Sequence, residues 1–330
     1  MVTIQDVAKE AGVSVATVSR VINRHSAVSA RAKKAVEDAI RKLNYEPNIL
    51  GRNLRTSSTH MILTILPSIS NPFYSKVLQG IEDTARKENY YILVCETDSS
   101  SEIQSFYLNM AKQRIADGII SLDPTVEQVL TAELDRSYPV IQCGDKTLDE
   151  RIPFVGIDNV SAAYKAVKYL IAIGHERIAL ISSSEQYKYA VDRRQGYTQA
   201  LEEAGIPVRR QYICYSDLNY DHGLQTMRTL LHLDVPPTAV FAVGDVLAIG
   251  ALKAIRDAGL RCPEDVAVVG FDNIPFASMM NPTLTTVAQP MYEMGCEAAR
   301  ILINKLKNKK SEMQTLIMPH ELIIRESTSV

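Results

Sequence analysis

From Met61 to Phe271 the chain alternates strand-length apolar runs with amphipathic stretches long enough for helices, and this alternation limits the possible folds more than any other feature. The runs are MILTILP (61–67), YYILV (90–94), GIISL (118–122), PVIQC (139–143), FVGI (154–157), RIALI (177–181), TAVFAV (238–243) and VAVVGF (266–271). Continuous apolar runs mark strands buried on both faces, and the helices between them supply the crossovers that parallel pairing requires. The expected class is α/β with doubly wound parallel sheets, and the 270 residues after His60 suffice for two of them. One intervening helix is legible in detail: Gly196, Ala200 and Ala204 share a stripe, Tyr197 and Leu201 lie on the adjoining one, and Gly205 with Pro207 ends it.

Composition removes several classes. A chain that is 46% hydrophobic and 22% charged is not disordered, and no apolar run reaches the roughly 18 to 20 residues of a membrane span. The five cysteines are scattered and never form CxxC, and MVTIQDVAKEAGVS lacks the basic-then-apolar pattern of a secretion signal, so a reducing cytoplasm is expected. No GxSxG, GxxxxGK[ST] or HExxH motif is present and the six histidines are dispersed. Neither an enzyme nor a metal or cofactor is expected.

Charge is uneven. Residues 1–60 carry ten basic and five acidic side chains, net +5, whereas the remaining 270 carry 26 and 33, net −7. A small basic head on an acidic body points to a polyanion partner. Within that head, Ile4 to Asn23 has the spacing of a helix-turn-helix: Ala8 at the helix contact, Gly12 in the turn, Val18 packing the second helix on the first. Thr3 with Asp6 and then Ser14 are the expected caps; a third helix from about Ala30, capped by Ser29, closes a small core with Val36, Ile40 and Leu43. Because Val18, Val21 and Ile22 are needed inside, Val15, Ala16, Ser19 and Arg20 face outward, placed to read a major groove. The plain alternative is a three-helix module whose basic residues form a solvated face. The stretch NYEPNILGRNLRTSSTH (44–60) reads as a linker.

The run TIQDVAKEAGVSVATVSRVIN resembles the DNA-binding signature of the LacI/GalR family of bacterial transcription repressors, and the similarity continues through NYEPNILGRNLR, SNPFY, DRRQGY, GDVLAIGAL, VAVVGFDN and LTTVAQPMYEMG. The resemblance implies a headpiece (1–46), a hinge helix and linker (47–60), and a core related to periplasmic sugar-binding proteins, with an N-subdomain (61–159 with 291–317) and a C-subdomain (160–290 with 318–330). It implies a homodimer on a pseudo-palindromic duplex operator in the cytoplasm, associated with the nucleoid. By position, the DNA contacts would come from Thr3, Ser14, Val15, Ala16, Thr17, Ser19, Arg20 and Asn23. Val and Ala methyls suit thymine and Arg20 can pair with guanine. In the hinge, Asn48 would cap a short helix, Leu54 would wedge into the minor groove, and Arg52 and Arg55 would flank it. Gly51 stands where relatives usually have Ala and weakens that helix in free solution. The alternative for this segment is a plain tether.

Open parallel sheets bind ligands at the carboxyl ends of their strands, where Asp98, Asp123, Asp145, Asp158, Asp245 and Asp272 collect. For each of them helix capping is the competing role. Arg193, a cation early in a helix, requires compensation: either an ion pair with a neighbouring Asp or a ligand gripped by its fork. The resemblance favours the ligand, through the motif RxxG(F/Y/W), and matches Asp145, Asp272 and Gln289 to one wall of the site and Asn71, Phe73 and Tyr74 to the other. That inventory suits a sugar-like effector. Gly244 replaces an Asn common in relatives and leaves Asp245 alone. Two further alternatives stand. One is a solute-binding protein without DNA function. The other is control by a phosphorylated phosphocarrier protein, because LTTVAQPMYEMG resembles catabolite-control regulators, although QPMYEMG also reads as an ordinary helix start with Met and Tyr in the core. The end IIRESTSV has no heptads, so a coiled-coil tetramer is not expected.

Overall fold

The computed structural model describes residues 2–22, 28–45, 58–126, 138–146 and 152–329, in two units that divide at Thr59. The amino-terminal unit contains α1 (Ile4–Ala11), α2 (Val15–Ile22) and α3 (Ala30–Leu43). The caps arise from local chemistry. Thr3 and Asp6 form a reciprocal capping box on α1, Ser14 Oγ accepts from Thr17 N at 3.2 Å, and Ser29 Oγ accepts from Ala32 N at 3.3 Å. Gly12 adopts φ +63°, the left-handed conformation that stops α1 and lets α2 begin three residues later. Val7, Val18 and Val36 are fully buried at the centre. Ile40 and Leu43 are half-buried, and Ala39 and Tyr45 complete the core, so the hydrophobic unit extends two residues into the stretch read as linker.

The second unit holds two six-stranded sheets. The first runs β11–β5–β4–β3–β1–β2, all parallel, from β1 (Met61–Leu66), β2 (Tyr91–Glu96), β3 (Gly118–Ser121), β4 (Val140–Cys143), β5 (Phe154–Ile157) and β11 (Leu316–Met318). The second runs β12–β10–β9–β8–β6–β7, from β6 (Ile178–Ser182), β7 (Ile213–Tyr215), β8 (Ala239–Ala242), β9 (Ala267–Asp272), β10 (Thr285–Ala288) and β12 (Glu321–Ile323). Only β12 pairs antiparallel among these. The crossovers are α4 (Pro72–Lys87), α5 (Ser101–Lys112), α6 (Asn159–Ala172), α7 (Lys188–Glu203), α8 (Tyr220–Leu231), α9 (Asp245–Asp257) and α10 (Met291–Lys307).

All eight apolar runs became strands, each shifted by at most about two residues at an end. The four strands without a run in the sequence reading, β7, β10, β11 and β12, are three or four residues long. In β10 the polarity of LTTVAQ hides a buried strand: Thr285 N donates to Ser327 Oγ at 2.8 Å and the Thr286 hydroxyl is spent on Asp245, so hydroxyls satisfied inside the core replace apolar side chains. Met318 belongs to β11 in the first sheet, one residue beyond the boundary drawn at 317. On α7, Gly196, Tyr197, Ala200 and Leu201 are buried, but Ala204 caps the helix end and is exposed, because the stripe has rotated off the sheet there. QPMYEMG begins α10 with Met291 and Met294 in the core, while Tyr292 Oη donates to Asp83 Oδ2 at 3.0 Å.

The helices flank the sheets in pairs that cross at glycines. A β-carbon on Gly80 of α4 would overlap the carbonyl oxygen of Tyr292 on α10, and one on Gly295 would overlap that of Val77 in return. Gly196 stands in the same relation to Val160 of α6, and Gly223 and Gly250 join α8 to α9. Contact this close leaves no room for a methyl group, and interiors at crystal-like density do not yield cheaply. Gly80→Ala is expected to lower stability by about 2 kcal/mol or more, read as a reduced urea midpoint; an unchanged midpoint would mean that α4 and α10 separate freely.

Candidate functional site

The outward face of α2 is small and mixed. Val15 is 38% exposed, Ala16 and Arg20 are exposed, and Thr17 and Ser19 are half-buried beside the buried Val18. Thr3 and Ser14 spend their hydroxyls on helix caps: Thr3 Oγ1 with Asp6, and Ser14 Oγ 3.0 Å from Thr17 Oγ1. Asn23, Asn48, Gly51, Arg52, Leu54 and Arg55 lie outside the described residues.

In the second unit a cleft of about 400 Å³, counting space open to solvent, is walled by residues from both sheets. On the first-sheet side, Asn71 caps α4, its Oδ1 accepting from Phe73 N at 3.0 Å, and Pro72 fixes the first turn; Phe73 and Tyr74 are thereby set edge to face at 5.2 Å between centroids. Gly144, at φ +98°, turns the chain after β4 against the Phe73 ring and places Asp145 in the cleft. Asp145 Oδ2 accepts from Tyr189 N at 3.1 Å and Oδ1 from Lys146 N at 2.8 Å. Tyr189 lies in the first turn of α7, whose own cap residue, Tyr187, makes no side-chain cap bond. The carboxylate from β4 therefore serves a helix start in the other half of the unit.

The opposite wall is organised around Arg193. Its guanidinium stacks 3.5 Å from the Phe271 ring centroid and 5.0 Å from that of Tyr189. Nε donates to Asn159 Oδ1 at 2.9 Å, Nη1 donates to the Val243 carbonyl, and Nη1 stands 3.9 Å from Asp272 Oδ1. Asp272 also accepts from Gln289 Nε2 at 2.7 Å. The turn that aims Asp272 is strained, with φ +113° there and +58° at Asn273, and Arg325 braces it by donating to Asn273 Oδ1 at 2.8 Å and the Leu284 carbonyl at 2.7 Å. Of the two compensations open for Arg193 in the sequence, the ion pair with a neighbouring carboxylate is present, and the side chain also lines the cleft.

Not every collected aspartate reaches this place. Asp98 is exposed after β2 and does not line the cleft. Asp245 does not line it either; it is fully buried beneath, accepting from Thr286 Oγ1 at 2.6 Å and Ile274 N at 2.8 Å. Asp158 caps α6, and Asp123 is bound up with Thr97, Gln104 and Thr125 inside the first sheet. Asn71, Phe73, Tyr74, Asp145, Arg193, Asp272 and Gln289 do meet around one space. Leu122, Pro124, Tyr189 and Leu218 also line it and went unread. Leu122 and Pro124 follow β3 and were open to the strand-end rule; Leu218 sits in a loop with no sequence signal. No group of acidic, His or Cys residues among those described could hold a metal ion, and no described helix is long and apolar enough to cross a membrane.

A helix-turn-helix head carried on a two-sheet cleft with ligand-directed polar groups defines a regulator that couples binding of a small molecule to binding of DNA. Residues 3–48 match the model of "Bacterial regulatory proteins, lacI family", and residues 167–328 that of a periplasmic binding protein-like domain. The chain is 38% identical to the HTH-type transcriptional repressor CytR of Escherichia coli K12 over 327 residues, covering 99% of this chain and 96% of that one. It is also 38% identical to catabolite control protein A of Priestia megaterium, covering 99% of each. Among solved structures, the Lac repressor dimer bound to operator and the anti-inducer ONPF superposes with TM-score 0.89 at 27% identity over 99% of both chains. The CelR–cellobiose complex superposes with TM-score 0.75 at 32% identity, over 99% of this chain and 100% of that one. The chain belongs to the LacI family, and it is a DNA-binding transcriptional regulator.

Burial pushes the Asp145 carboxyl up to about 7, against the two backbone N–H groups and Arg193 that oppose it. It pushes Asp272 up to about 6 against Arg193 and Gln289. A carboxyl whose folded value exceeds its unfolded one favours folding most below about 4, and that contribution is lost as pH rises through about 6 to 7. Carboxyl carbon-13 titration of the ligand-free protein is expected to show midpoints near 7 for Asp145 and near 6 for Asp272; ordinary values near 4 for both would mean that water reaches them freely.

Proposed function

We propose that the protein represses transcription as a homodimer on a pseudo-palindromic operator, and that a sugar-like molecule in the cleft changes its operator affinity. The observation that carries this is the pairing, in one chain, of an outward α2 face bearing Val15, Ala16 and Arg20 with a cleft lined by Phe73, Tyr74, Arg193, Asp145 and Asp272. Methyl groups at the start of α2 complement thymine, and the exposed guanidinium of Arg20 complements guanine O6 and N7. Thr3, Ser14, Thr17, Ser19 and Asn23 would supply the further DNA contacts. In the cleft, aromatic faces stack on the apolar face of a sugar ring, carboxylates accept from its hydroxyls, and Arg193 donates to ring or hydroxyl oxygens.

A second copy is required by the geometry of a pseudo-palindromic operator. Two headpieces on two half-sites give the affinity that one short helix face does not. The hinge at 47–60 would carry the coupling: a short helix from Asn48, flanked by Arg52 and Arg55, wedges Leu54 into the minor groove and bends the duplex. A ligand favouring one state of the core shifts operator affinity by its differential binding, typically about 5- to 150-fold. The site of action is the bacterial chromosome in the cytoplasm.

Footprinting of the purified chain on genomic fragments tests the DNA arm. Protected pseudo-palindromes are expected, and the absence of any sequence preference at moderate ionic strength would sink the assignment. On a footprinted site Arg20→Ala is expected to cost about 1 to 3 kcal/mol and to relax preference at one base pair per half-site. Leu54→Ala tests the hinge: gel-shift affinity is expected to fall at least tenfold, with a smaller bend by circular-permutation mobility. Unchanged affinity and bend would reduce the segment to a tether.

A further inference from the structure

One corner of the cleft narrows the chemistry of its ligand. Gly244 precedes α9 at φ −164°, an extended backbone that any residue adopts, so torsion does not demand glycine there. Packing is close instead: a β-carbon at 244 would stand 2.7 Å from Leu218 Cδ1, the tip of a side chain that would have to move aside, and 3.7 Å from Asp272 Oδ2. Leu218 occupies the volume that a side chain at 244 would need, and its methyl groups line the cleft beside Asp272. A ligand hydroxyl bonded to Asp272 is satisfied, but the neighbouring ligand atom, turned to Leu218, loses water and meets only methyls. A hydroxyl there costs affinity, whereas a methyl or methylene is favoured.

Charge constrains the rest. The ionisable acids at the cleft are Asp145 and Asp272, and among the described residues the one basic side chain lining it is Arg193. Its charge is already balanced by Asp272, 3.9 Å from Nη1, and its Nε and Nη1 are spent on Asn159 and the Val243 carbonyl. A phosphate or carboxylate would enter a site with two carboxyl groups and, among the described residues, no cation whose charge is unbalanced. Gln289 gives its Nε2 to Asp272, and its Oε1 is buried with no hydrogen-bond partner, an acceptor that waits for a donor.

We propose that the cleft selects an uncharged polyhydroxyl ring that presents a deoxy or alkyl edge to Leu218, and that it rejects phosphorylated and carboxylated counterparts; this rests on the sugar-type effector argued above. Leu218, seated in the space beside Gly244, is the specificity determinant.

Calorimetry of the full chain with matched sugars tests it: D-glucose, 6-deoxy-D-glucose and D-glucose 6-phosphate; D-galactose, D-fucose and D-galacturonate; D-ribose, 2-deoxy-D-ribose and D-ribose 5-phosphate. Within a set that binds, the deoxy member is expected to bind at least as tightly as its parent and the charged member at least 100-fold more weakly. Leu218→Asn, on a half-buried loop position, is expected to shift the deoxy-to-parent preference at least tenfold toward the parent. Gly244→Ala is expected to weaken the deoxy member at least tenfold, with folding of both variants checked by thermal midpoint. A charged member binding within tenfold of its parent, or a preference ratio unmoved by Leu218→Asn, overturns the proposal and leaves the sugar-type effector standing. Silence across all nine compounds, by a chain that still binds its operator, overturns that effector class and this proposal with it.

Discussion

A guanidinium taken out of water determines how the carboxyl ends of the second sheet are built. Arg193 is 5% exposed, and a buried cation left unpaired costs several kcal/mol. Three elements contribute to offsetting the penalty: Asn159 from the start of α6, the Val243 carbonyl from the end of β8, Phe271 and Asp272 from the end of β9. Asp272 reaches its position through backbone torsions that disfavour any side chain, and the Arg325 brace holds that turn. Strain of about 1 to 3 kcal/mol per residue is tolerable because removing the carboxylate would strand the charge, at about 3 to 5 kcal/mol. The comparison of those two magnitudes explains why the strained turn persists.

The same logic links the two halves of the cleft. A helix start needs acceptors for its first N–H groups, and Tyr187 supplies no side chain to α7. Asp145, from the turn after β4, supplies one. The carboxyl is buried and its ionisation is driven toward neutral pH, so the bond it makes to Tyr189 N is between a partly protonated group and a helix dipole. Any molecule that takes an oxygen of Asp145 for itself competes with the α7 start, and any molecule that leaves both bonds intact reinforces them. The cleft is therefore mechanically connected to the packing of α7 on α6, which crosses at Gly196 without slack.

What the sequence disclosed follows the range of the forces involved. Helix caps and the Gly12 turn are set by neighbours three or four residues away and were legible to the residue; of the central valines Val18 and Val36 were read and Val7 was not. Long apolar strands were legible for the same reason. The strand β10 was not, because its polarity is compensated by Ser327, Thr328 and Asp245, all about 40 residues distant. Among the aspartates at strand ends, spacing alone did not separate Asp145 and Asp272, which enter the cleft, from Asp123 and Asp245, which are buried in hydroxyl and amide networks, or from the exposed Asp98. Leu218 gave no sign at all, since its role is defined by the absence of a side chain 26 positions away.

The head and the body divide the labour unequally. Among its described residues the head closes on six buried ones, a small core. It nevertheless leaves Val15 and Ala16 facing outward at the start of α2, although turning a valine inward would add apolar burial to a unit short of it. The body, by contrast, buries large apolar clusters on both sheets, enough to absorb a desolvated arginine, the buried carboxyls of Asp123, Asp145, Asp245 and Asp272, and a strained turn. Stability is withheld where a surface must meet another molecule and is abundant where charges must be held in place. In the head that leaves a methyl-bearing helix start exposed. In the body it leaves a rigid set of acceptors, with one apolar corner at Leu218, exposed to whatever enters the cleft.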